Sequence, residues 1–138
     1  MGLVNVTVGH QNDMRYLEAE GAWLLDPPDG ESFEIIVSGD QSGPDSACTD
    51  ILQKILPRMA ELRKKAIYYL EEFVDCRKFA EGSDWCFEGV SLERMVDNAG
   101  SNIGLHFSIE GDVYGEWSVS FQESGAFFYP VAFKRQQV

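Results

Sequence analysis

Long apolar runs are missing from this chain. Nothing in it approaches the ~18 apolar residues that a membrane-spanning helix needs. The start, Met1-Gly2-Leu3-Val4-Asn5, has no basic region ahead of an apolar stretch, so no secretory leader is predicted. Myristoylation at Met1-Gly2 wants Ser or Thr at position 6, where Val6 stands. Cysteine is scarce: Cys48, Cys76 and Cys86 form an odd, widely spaced set with no CxxC. That argues against a disulfide framework or a zinc ribbon and predicts reduced thiols in a cytoplasmic protein. Positive charge is scarce too, with 11 Lys and Arg against 23 Asp and Glu, a net −12. A nucleic-acid binder displaces counterions from phosphate with cations, and this chain repels phosphate over most of its length. An anionic membrane surface is disfavoured for the same reason. Only two histidines, His10 and His106, are available for acid–base or metal chemistry.

What is present reads as one α+β domain over residues 1–138. The length suits a single domain with a proper core, and 44% hydrophobic with 25% charged residues is globular composition. The charge is uneven. Residues 1–43 carry eight acids and one base, 44–80 six acids and seven bases, and 81–138 nine acids and three bases. Alternation predicts strands at 3–8, at 15–25 with Trp23 and Leu25 inward, and at 32–38 with Phe33, Ile35 and Val37 inward. Asp26-Pro27-Pro28-Asp29-Gly30 is turn chemistry between the last two. Pro44 suits a first helical residue. A stripe at Cys48, Leu52, Ile55, Met59, Leu62, Ala66, Tyr69 and Phe73 then predicts a long amphipathic helix over about 45–76, kinked at Pro57. A strand at 85–90 follows, and Ser91 is read as the N-cap of a second, short helix to about Asp97. Three more strands close the chain. In the last, Phe127, Tyr129, Val131 and Phe133 are predicted inward, and Pro130 marks it as a sheet edge. The simplest architecture is an antiparallel sheet with the long helix packed on one face.

No catalytic signature is present. The loop Ser38–Pro44 has glycines but no Lys, so it is no phosphate loop. Asp40 and Asp45 lack the calcium-loop spacing. No catalytic residue, metal site or cofactor is assigned. The residues singled out are His106, on the sheet face opposite the core, and the carboxylates predicted to share that face, Glu18, Glu20 and Glu116, with Glu34 and Glu110. An imidazole among carboxylates has the chemistry of a general acid or base, though its commoner role is a solvated pair with one Glu. Phe128, out of phase with its neighbours, is predicted to face outward as a pocket lip or an interface residue. Lys54, Arg58, Arg63, Lys64 and Lys65 read as a solvated helix face or as partners for another subunit's acidic sheet.

Hairpin strands, one long amphipathic helix and a closing acidic meander resemble, in layout and charge, the small acidic bacterial proteins of the immunity type that bind and block toxins. They also resemble orphan domains carried on mobile gene cassettes. The resemblance implies binding rather than catalysis, with a basic toxin as the kind of partner. The leading expectation is therefore a non-catalytic protein that recognises a protein partner through an acidic surface. The alternatives are a small-ligand domain with an aromatic-lined pocket between sheet and helix, and a His106-centred hydrolase or isomerase. A helix of ~32 residues would overhang so small a globule, which predicts a homodimer with the helix at or near the interface.

Overall fold

The computed structural model describes residues 14–28, 31–74, 85–94 and 101–137. The strand expected at 3–8, His10 and Cys76 lie outside them. Strands β1 (Met14–Leu17), β2 (Ala22–Leu25), β3 (Glu34–Asp40) and β4 (Gly43–Pro44) come first. Helices α1 (Ser46–Ile55) and α2 (Met59–Phe73) follow, then β5 (Trp85–Arg94), β6 (Ser101–Ile109), β7 (Gly115–Ser124) and β8 (Phe127–Gln137). One sheet runs in the order β1-β2-β3-β5-β6-β7-β8, with the two-residue β4 pairing back on β3. The sheet is mixed rather than wholly antiparallel. β3 and β5 run parallel, Ile35 opposite Val90 and Val37 opposite Leu92, because the helical segment carries the chain back before β5 begins.

The stretch read as one strand at 15–25 is a hairpin. A 3-10 turn, Glu18–Glu20, separates β1 from β2, and Gly21 closes it at φ 61°, a conformation that costs glycine nothing. Tyr16 therefore folds back opposite Trp23, 5.2 Å between ring centroids, instead of facing away from it. The predicted short helix at Ser91 is also corrected. Ser91–Arg94 continue β5, since Val90 and Leu92 alternate into the core; residues 95–100 lie outside the described set. Pro44 sits in β4, and the helix begins two residues later behind Asp45.

Pro57 has no N–H to offer the helix ladder, and the chain responds with a 3-10 turn, Leu56–Arg58, between α1 and α2. The two halves keep one apolar stripe. Cys48, Leu52, Ile55, Met59, Leu62, Ala66 and Leu70 are all buried against the inner sheet face, where Ile35, Val37, Leu92, Leu105 and Phe107 meet them. The stripe departs from the predicted one at its end. A straight helix drifts by roughly 20° per heptad from a strict seven-residue repeat. After Ala66 the buried position is Leu70, and Phe73 swings out to 62% exposure, stacking on the rim against Phe133 at 5.4 Å.

Among the described strands β8 ends the sheet, as Pro130 predicts. Its inward residues are not those expected. Ala132 pairs with Ser120 and Pro130 with Phe121, so Val131 is an extra residue in a β-bulge. The bulge shifts the alternation by one. Phe133 stays packed on the core, but before the bulge Phe128 turns inward, to 2% exposure, while Phe127, Tyr129 and Val131 face out.

Four of the five basic residues of the helix make contacts within the chain. Lys54 pairs with Glu123 at 3.0 Å, and Arg58 donates to the Ala126 carbonyl at 2.6 Å and to Glu61. Lys65 donates to the Phe128 carbonyl at 3.1 Å, and Arg63 lies over the Phe87 ring. These contacts fasten the helix to the β7–β8 hairpin and to β5.

Candidate functional site

The outer sheet face carries no described helix. Its side chains are fixed by what the inner face buries. In β6, Ile103, Leu105, Phe107 and Ile109 point into the core, which leaves Gly104, His106 and Ser108 outward. In β5, Val90 and Leu92 point inward and Ser91 and Glu93 outward. Ser91 is directly opposite Gly104, one diagonal step from His106. The result is a hydrogen bond of 2.7 Å between Ser91 Oγ and His106 Nε2. Gly104 makes the bond possible. A Cβ there would sit 2.9 Å from Ser91 Oγ and 3.4 Å from His106 Nε2, closer than side chains normally pack.

The other ring nitrogen, Nδ1, lies 3.9 Å from Glu116 Oε2, an ion-pair distance but too long for a hydrogen bond. It is shielded from solvent and has no hydrogen-bond partner. The imidazole is 26% exposed. Burial pushes its pKa below the ordinary value of 6.5; Glu116 opposes that, Lys134 adds to it, and Glu93 opposes it. Burial wins, so the ring is neutral near pH 7.

Around this pair the surface is concave. A trough of about 430 Å³ is lined by Glu20, Glu34, Glu88, Glu93 and Glu116 together with Ser91 and His106. A neighbouring hollow of about 460 Å³ shares Glu34, Glu88 and Glu116 and reaches Val113. A register shift between Phe87 and Gly89 leaves Glu88 as a bulged residue at the trough's edge, where Ser108 donates to its carboxylate at 2.5 Å. Bulges recur beside functional sites because they re-aim side chains.

Of the residues singled out in the sequence, His106, Glu20, Glu34 and Glu116 come together in this trough. Glu18 and Glu110 do not line it: Glu18 lies in the exposed 3-10 turn, and Glu110 just past the end of β6. Phe128 is a correction: it is core, on the opposite face, because of the bulge at Val131. Ser91 and Glu93 were missed because that segment was read as a helix start. The alternation Val90, Ser91, Leu92, Glu93 was the signal that would have found them. Among the described residues, no three acidic, His or Cys side chains converge as a metal-ligand set.

Another hollow, of about 610 Å³, lies at the start of α1 and the carboxyl ends of the parallel strands β3 and β5. Such a place usually suits an anion. Here Asp40 and Asp45 line it, and Arg94 reaches Asp45 at 3.5 Å. Two carboxylates outweigh one exposed guanidinium, so the hollow does not favour phosphate. No protein family, curated protein or solved structure matches the chain. The trough's own chemistry carries the functional reading.

Proposed function

We propose that this is a binding protein that recognises a positively charged segment of a protein partner on the outer face of its sheet. The observation that supports it is the trough itself: five glutamates from β3, β5, β7 and the 3-10 turn before β2 surround a concavity whose one imidazole is kept neutral by burial. Carboxylates gathered round one hollow give it a negative potential, which attracts a lysine- or arginine-bearing segment and steers the encounter. A basic toxin is one partner of this kind. The aromatic-lined pocket between sheet and helix finds no such support, since Trp23, Phe33, Phe107 and the leucines of the helix pack that space. Self-association, expected from an overhanging helix, would rest on Tyr68 and Phe73 within the helix, because the stripe from Cys48 to Leu70 is buried within one chain.

Fluorescence anisotropy with a labelled lysine-rich peptide tests the reading. Binding at about 20 mM salt should weaken by about tenfold or more at about 0.2 M, where exposed charges beyond ~8 Å are screened. The double substitution Glu34→Gln, Glu116→Gln should weaken it severalfold at low salt. Equal affinity of wild type and double variant would remove the trough from the interface.

A further inference from the structure

We propose that Ser91 is an activated nucleophile, with His106 as its base and Glu116 as the carboxylate behind the imidazole, and that it takes up acyl or phosphonyl groups from electrophiles bearing a positive charge. The proposal goes beyond partner recognition; only its preference for cationic reagents rests on that reading.

Three features point to it. The first is the line of groups. Ser91 Oγ meets His106 Nε2 at 2.7 Å, and Glu116 stands 3.9 Å from Nδ1 on the far side of the ring. A serine hydroxyl is a weak nucleophile until a neighbouring base accepts its proton, and that base must be neutral first. The second is the setting. Ser91, His106 and Glu116 line the same trough, and Gly104 behind them lets Ser91 Oγ reach the ring, since any Cβ there would crowd both. The third is the surroundings of the ring. Burial, helped by Lys134, keeps the imidazole unprotonated and so able to accept the serine proton, and Glu116 and Glu93 offset part of that cost once the proton has arrived.

The step balances without redox chemistry. Ser91 Oγ bonds to the carbonyl carbon of an ester while its proton passes to His106 Nε2. The carbon–oxygen bond to the leaving group then breaks, and His106 returns the proton to the departing alkoxide, giving an acyl-serine and an alcohol. With a fluorophosphonate the same attack forms a phosphorus–oxygen bond and expels fluoride. The trough is ringed by carboxylates, which disfavour the oxyanion of both acylation and hydrolysis; a good leaving group such as nitrophenolate or fluoride offsets this in the first step only, so the expected reaction is stoichiometric modification of Ser91 by activated reagents, with slow release at most.

The test uses the full chain and two activated nitrophenyl esters of equal length, one ending in a quaternary ammonium and one in a methyl group. A fluorescent fluorophosphonate serves as a third reagent. Peptide mass mapping should place one label per chain on Ser91. Ser91→Ala should abolish it, and His106→Gln should slow it by about a hundredfold, the usual worth of a general base. Gly104→Ala, which keeps all three functional groups but pushes Ser91 off the ring, should slow it at least about tenfold. Glu116→Gln should move the midpoint of the pH–rate profile downward, a shift that a purely structural role would not produce. Unchanged urea midpoints in these variants establish that they fold. Label spread over several serines, or a Ser91 rate no faster than in the urea-unfolded chain, overturns the proposal. If both esters label Ser91 at the same rate, the nucleophile stands and the cation-selective trough fails. If the peptide binds but Ser91 stays unlabelled, the trough stands and the nucleophile fails.

Discussion

Asp112 serves three donors with one carboxylate. It accepts from Trp117 Nε1 at 2.8 Å and from Arg135 Nε and a terminal guanidinium nitrogen at 2.8 and 2.6 Å. Its side chain is 8% exposed, so these bonds tie the β6–β7 turn to β8 in a sheltered place. The Arg135 hydrogen bond, more than any other contact, holds its pKa below the ordinary 3.8. A depressed carboxylate stabilises the fold above its unfolded pKa and loses that contribution as pH falls through the folded value. Asp112→Asn should therefore cost about 1–3 kcal/mol in urea unfolding at pH 7. The gap to wild type should hold down to about pH 4 and narrow below it. A gap that does not change at acid pH would mean the charge is idle. No sequence pattern announced this residue, because its partners come from positions five and 23 residues away on different strands. His106 and Glu116 were legible for the opposite reason: strand alternation alone puts them on one face, and Ser91 follows by the same alternation once its segment is seen to be strand rather than a helix start.

The helical segment was the most legible element, and its end was the least. A stripe with spacings of three and four fixed the buried face from Cys48 to Ala66. It failed at Phe73, where drift of the helix against the sheet decides, and drift is not written in the spacing. Leu62 lies on the central part of the stripe, fully buried. Leu62→Ala should destabilise by roughly 2–5 kcal/mol, the usual cost of a core leucine and its cavity, read from chemical denaturation. A loss below about half a kcal/mol would remove Leu62 from the core. β8 shows the same division. Its edge position followed from Pro130, a residue without a donor. Its facing did not, because one unpaired residue, Val131, inverts every position before it. Likewise Gly21 was a visible break within 15–25, but only pairing of Tyr16 with Trp23 shows that the chain turns back there.

At the scale of the whole molecule, the charge asymmetry read from the sequence becomes a matter of faces. Four cations of the helix are tied to the β7–β8 hairpin and β5, while glutamates of β3, β5 and β7 gather on the side of the sheet that carries no described helix. Composition gave the excess of acid; only strand order placed it. The parallel pairing of β3 with β5 has a consequence of another kind, in time rather than in space. β5 to β8 join neighbour to neighbour through short connections, so their contacts close small loops. β3 meets β5 only after the chain between Asp40 and Trp85 has been brought round, and such distant contacts form late. The meander should assemble first, and β1 to β3 should dock onto it through the helix. Two matched core substitutions read this order. Ile103→Val in β6 and Ile35→Val in β3 each remove one buried methyl group, worth about 1 kcal/mol. In stopped-flow urea experiments the first should mainly slow folding and the second mainly speed unfolding. The reverse partition would mean that the crossover closes before the meander, and that the helix rather than the hairpins begins the fold.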